Sequence, residues 1–176
     1  MNNLHFESEA ELFAYKAWRT LSLEPPVNLD KIASKLNLVI EYREFIPEID
    51  GFYLRLPNCP PVIAINASYV KPQERRRFTL AHEIGHHLLA RRISNSERLF
   101  FLDTPRNRRT VLERACDRFA ALLLMPEELV RRYFQELEAN SKNRVAIMAS
   151  RFGVSTWAMR RRIKELGLTI QPWQRS

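Results

Sequence analysis

Between Pro72 and Arg92 the apolar residues Phe78, Ala81, Ile84, Leu88 and Leu89 keep a helical period, and within that run His82 and His86 stand four residues apart. On a helix this spacing puts both imidazoles on one face, one turn above the other. The helix must therefore turn one side to a core while a second side presents two nitrogen donors to a common point. Two neutral imidazoles so placed can share a divalent cation. Glu83 leaves the helix from a neighbouring position, where it can act as a general base without being a ligand. Gly85 is expected to leave open space beside the pair. A histidine pair with an intervening glutamate also occurs in ordinary helices, so the surrounding sequence decides its weight.

A second helix, predicted over 110–125, carries Glu113 and, one turn later, Asp117. Hydrolytic zinc sites take three protein ligands and keep a fourth position open. Glu113 could complete a His82, His86, Glu113 set, and Asp117 could accept the outer N–H of a ligand histidine and so set its tautomer. A solvated face beside Arg114 and Arg118 is the competing reading, because most charged helix residues are exposed. His87, one step past His86, is expected to point away from the pair, partly exposed or packed. Cys116 is expected to pack as a small buried hydrophobe, roughly 100° around the helix from Asp117.

The remaining pattern is α+β. Helices are predicted over 7–21 and 29–36, then a strand over 38–45, a turn at Pro47 and Asp50-Gly51, and strands over 52–56 and 61–65 joined as a hairpin or meander. The long helix 73–92 follows this small sheet. Residues 94–109, rich in Arg and Asn, read as irregular, and after 110–125 a further helix covers 127–137. At 176 residues the chain suits one medium domain with an appendage. A plausible junction at 139–141 divides it into a body, 1–138, and a C-terminal segment, 139–176. Two cysteines, Cys59 and Cys116, do not make a secreted disulfide framework. The first residues lack a signal-peptide pattern and no apolar run is long enough to span a membrane, so a cytoplasmic location is expected.

The net charge is +8, and its distribution is uneven. Residues 139–176 hold eight Lys and Arg against one acid, Glu165. Residues 143–166 look like a helix-turn-helix: Ala149 is small, Gly153 turns, Val154 is apolar and Ser155 caps a second helix bearing Arg160, Arg161 and Arg162. That basic face could meet DNA phosphates or an acidic protein surface. It could equally be the solvated side of a helical pair packed on the body.

The segment from Phe78 to Leu89, followed by Glu113 to Pro126, resembles the ImmA/IrrE family of metallopeptidases. The family pattern is His-Glu-x-x-His, a Glu four residues before an Asp or Asn, Phe-Ala, and Leu-Leu-Met-Pro. It is matched at His82, Glu83, His86, Glu113, Asp117, Phe119, Ala120 and Leu123 to Met125-Pro126. The resemblance covers roughly residues 10–166, with Cys116 standing where many members have Ala. It implies a mainly helical, zincin-like peptidase core with a small β-sheet before the metal helix, and a C-terminal helical unit. It also implies cleavage of regulator proteins, often helix-turn-helix repressors, in transcription regulation and stress response.

These readings converge on a metal-dependent endopeptidase acting on a protein regulator, with Glu83 as catalytic base, His82, His86 and Glu113 as metal ligands and Asp117 behind them. Zn²⁺ suits two His and one Glu, and Mn²⁺ or Fe²⁺ could occupy such a site. Tyr53, Tyr69 and several arginines are candidate oxyanion donors. The alternative is a DNA-binding regulator whose metal site is structural or sensory.

Overall fold

The computed structural model describes residues 3–93, 98–103, 110–137 and 143–169. The expected junction at 139–141 lies outside the described residues. In chain order the elements are α1 (Asn3–Leu21), α2 (Leu29–Lys35), β1 (Val39–Arg43), β2 (Gly51–Arg55), β3 (Val62–Asn66), α3 (Gln73–Ile93), β4 (Leu99–Asp103), α4 (Val111–Leu124), α5 (Glu127–Glu136), α6 (Arg144–Phe152) and α7 (Thr156–Glu165). The α+β class holds, and no described helix is long and apolar enough to cross a membrane.

The four strands form one sheet in the order β1-β3-β2-β4. β2 and β3 are antiparallel, as the expected hairpin or meander requires, with Tyr53 opposite Ile63. β1 lies parallel to β3, and β4 closes the other side antiparallel to β2. The expectation of irregular chain over 94–109 is corrected at Leu99–Asp103, which form β4; residues 94–97 and 104–109 lie outside the described residues. Leu99-Phe100-Phe101-Leu102 is a short apolar, aromatic run of the kind strands favour, and pairing with β2 overrides the polar flanks.

Tyr53, Ile63 and Ile65 are fully buried on the sheet face that receives α3. α4 covers the other side of α3, and α1 packs on α4. α4 can do this because Ala115, Cys116, Phe119, Ala120, Leu123 and Leu124 recur on one buried stripe. Thr110 caps it, its hydroxyl accepting from the Glu113 N–H at 3.2 Å. Held between sheet and α4, the middle of α3 is buried all round from Thr79 to His87.

The connection from β1 to β2 is held by side chains. Asn66 at the end of β3 donates through Nδ2 to the carbonyls of Phe45, Ile46 and Ile49, and its Oδ1 accepts from the Phe45 and Ser68 N–H groups. Asp50 is buried and accepts from Lys71 Nζ at 2.8 Å and from the Arg75 guanidinium.

The two C-terminal helices share the body's core through Met148, Phe152, Met159 and Ile163. Gly153 ends α6 at φ +64°, where the Val154 N–H returns to the Ala149 carbonyl at 3.0 Å. Its own carbonyl accepts from Arg77 Nε of α3 at 3.1 Å. Ser155 caps α7 by accepting from the Ala158 N–H. The three arginines of α7 do not form one face. Consecutive helix residues diverge by about 100°, and Arg162 turns inward, 3% exposed, donating through Nε to the Met125 carbonyl at 3.0 Å. Arg160 and Arg161 stay exposed, Arg161 pairing with Glu165 at 3.0 Å.

Burial pushes the Asp50 carboxyl up, but the hydrogen bonds and charges of Arg75 and Lys71 outweigh it and hold the group below its ordinary range. A carboxyl lowered in the folded state contributes stability that is present above its unfolded pKa, about 3.9. That contribution is lost as pH falls through the lower folded value. Asp50→Asn should lower stability at neutral pH by roughly 1.5–3 kcal/mol. In denaturant titrations the gap between Asp50→Asn and the parent should narrow below pH 4.

Candidate metal centre

Three side chains from two helices converge at the centre of the molecule. His82 and His86 project from the same side of α3, and their Nε2 atoms are 3.1 Å apart. Glu113, in the first turn of α4, faces both: Oε2 lies 3.1 Å from His82 Nε2 and Oε1 3.2 Å from His86 Nε2. All three are almost wholly buried, at 1%, 1% and 6% exposure. Thr110 and Glu113 have the spacing of a capping box. The hydroxyl makes the cap bond, while the carboxylate is turned toward the histidines.

The donor set fits a small divalent cation. Ligand atoms held tetrahedrally at about 2.0–2.1 Å from a zinc ion stand roughly 3.3 Å from one another. The observed separations of 3.1, 3.1 and 3.2 Å come within a few tenths of that spacing. Burial raises the Glu113 pKa, but hydrogen bonds from His82 and His86 and their charge prevail and hold it at about 2. Glu113 is thus an anion at neutral pH.

Asp117, one turn beyond Glu113, lies 2.9 Å from His82 Nδ1 through Oδ1. With a cation in place, the proton would sit on Nδ1, donated to this carboxylate, and His82 would offer the lone pair of Nε2. Glu83 is fully buried, directly after His82 on α3. The structure therefore brings His82, His86, Glu113 and Asp117 into one constellation and places Glu83 in the same buried stretch of helix.

Gly85 departs from its expected role. A Cβ there would stand 3.2 Å from Cys116 Cα and 3.2 Å from Phe119 Cδ1, so the position is a close helix contact rather than open space. Without a side chain at Gly85, α4 can approach α3 closely enough for Glu113 to reach the histidines. Cys116 is fully buried at that contact, and its Sγ lies with ligand nitrogens of His82 and His86 in a group spanning no more than 4.8 Å. Glu113 places a separate oxygen on each histidine at 3.1–3.2 Å.

His87 is buried, 2% exposed, with Nδ1 3.1 Å from the Tyr53 hydroxyl. Tyr53 is itself fully buried with that hydroxyl engaged, and Tyr69 is 90% exposed. Phe101 of β4 was outside the candidate set. Its ring stacks on the His86 imidazole with centroids 4.5 Å apart and planes 11° from parallel. The signal was present in the apolar run 99–102, but its strand character was obscured by the Arg- and Asn-rich residues around it.

A buried pair of helix histidines, joined by a carboxylate from a second helix behind a small mixed sheet, is the arrangement of a metallopeptidase. Residues 33–164 match the IrrE N-terminal-like domain, and the chain belongs to this family of metal-dependent proteases. A comparison with curated proteins finds no match.

If His82 and His86 are ligands, elemental analysis of the purified protein should find about one divalent metal per chain. His82→Ala and His86→Ala should each remove most of it. Asp117→Ala should keep the fold but weaken metal affinity by roughly 10–100-fold in a chelator-competition titration. An unchanged titration curve would return Asp117 to an ordinary solvated role.

Proposed function

We propose that the protein is a metal-dependent endopeptidase that hydrolyses a peptide bond in a protein regulator of the helix-turn-helix repressor class. The observation that carries the enzymatic part is the convergence of His82, His86 and Glu113 at 3.1–3.2 Å, with Glu83 buried beside His82. Membership of a protease family supports a protein substrate. The repressor class follows from the motif resemblance running from His82 to Pro126.

In this reading His82, His86 and Glu113 hold the cation, Zn²⁺ by the chemistry of two imidazoles and one carboxylate. When bound, the cation would supply Lewis acidity, lowering the pKa of water and polarising the peptide carbonyl. Glu83 accepts a proton as the water oxygen bonds to the carbonyl carbon. It then delivers that proton to the amine nitrogen as the C–N bond breaks. Asp117 keeps His82 in the tautomer that offers Nε2. The ionised Glu113 offsets part of the cation's charge.

The competing reading is a DNA-binding regulator with a structural or sensory metal site. A structural site needs no base, so the two readings differ at Glu83. Glu83→Gln preserves size but cannot take the proton. Mixed with candidate helix-turn-helix repressors, the parent protein should produce a new internal cut visible by mass spectrometry. Glu83→Gln should bind metal normally and cut at least about 10²-fold more slowly. Equal cleavage by both proteins would overturn the mechanism.

A further inference from the structure

The two histidines of the centre are steadied by different means. His82 is held by the Asp117 carboxylate on Nδ1. His86 lies flat against Phe101, 4.5 Å between centroids and 11° between planes. Phe101 comes from an edge strand of the sheet, β4, the element that follows α3 in the chain and precedes α4. It is backed in turn by Tyr53 of β2, with centroids 6.3 Å apart and planes 27° from parallel. Tyr53 is anchored to α3 by its hydroxyl on His87 Nδ1, 3.1 Å away. The rings of His86, Phe101, Tyr53 and His87 therefore form a closed path from helix to sheet and back to the next residue of the same helix.

We infer that Phe101 is a positioning residue for the metal centre: its ring fixes the rotation of the His86 imidazole so that Nε2 stays aimed at His82 Nε2 and Glu113. The inference rests on the reading of His82, His86 and Glu113 as ligands. Rotation of an imidazole about its Cβ–Cγ bond is intrinsically soft, because terminal torsions of this kind have broad wells, and the Glu113 contact at Nε2 acts at only one point of the ring. A parallel phenyl ring blocks that rotation from one side, since turning the imidazole edge-on would drive it into the phenyl face. Phe101 supplies no donor atom, so it acts on the cation indirectly, and the ring it touches at the centre is that of His86. The requirement is for a flat aromatic face, which separates positioning from simple filling of space.

The test uses the full-length chain and zinc alone, by chelator competition at one pH, with cobalt absorption spectra as a second readout. Phe101→Leu and Phe101→Met keep an apolar side chain but lose the flat face; Phe101→Tyr keeps it. The Leu variant, or the Met variant where Leu does not fold, should bind zinc roughly tenfold more weakly. It should also give altered cobalt bands. Phe101→Tyr should restore both affinity and spectrum. Parental affinity and bands in the Leu or Met variant would overturn the inference, as would a Tyr variant no better than Leu. His82→Ala separates the two levels of the reading. Loss of metal there with no effect at Phe101 refutes the stack alone, whereas retention of metal in His82→Ala refutes the centre and the stack with it.

Discussion

The close approach of α3 and α4 at Gly85 is the contact on which the rest of the site depends. Cys116 and Phe119 fill the space a side chain at Gly85 would need. With the helices this near, Glu113, about one turn before Cys116, stands against both histidines of α3, and Asp117, next to Cys116, stands against His82. A glycine in a helix interior costs about 1 kcal/mol of helix propensity relative to alanine. Here it permits a carboxylate from one helix to meet two imidazoles from another.

Burying the middle of α3 carries a cost that its partners offset. Between Thr79 and His87 the helix loses contact with solvent on every side, yet it holds three histidines and a glutamate. Polar groups taken out of water are tolerated when they find hydrogen bonds. Each histidine finds a partner on another element: His82 on Asp117 and Glu113 of α4, His86 on Glu113, and His87 on Tyr53 of β2. The polar residues that would weaken a plain core helix thereby tie α3 to both layers around it.

The basic C-terminal part shows why charge counts under-determine a role. Two of its arginines are structural. Arg162 reaches back to the Met125 carbonyl, and Arg144 lies over the Phe134 ring while donating to the Leu137 carbonyl. Arg77 of α3 joins them from the body side by binding the carbonyls of Gly153 and Val27. Guanidinium groups suit this work because one planar fork can satisfy several carbonyl oxygens while its stem packs on apolar surface. The charge left on the surface of α7 is that of Arg160, Arg161 and Lys164, of which Arg161 is shared with Glu165.

Local spacing was enough to determine the helices, the antiparallel strand pair and the face that His82 and His86 share. The four-residue interval of His82 and His86, and that of Glu113 and Asp117, are properties of a helix whatever surrounds it. The apolar stripe of α4 and the caps at Thr110 and Ser155 are equally local. Tertiary structure decided whatever depends on two remote segments meeting. It turned the apolar run 99–102 into a strand by offering it the edge of β2, and laid Phe101 on His86. It buried His87 by supplying the Tyr53 hydroxyl, made Gly85 a contact instead of a gap, and turned Arg162 away from the face its neighbours share. Periodicity says which residues share a side of an element. Which other element that side meets depends on packing across the whole chain, because each contact is closed by residues far away in sequence.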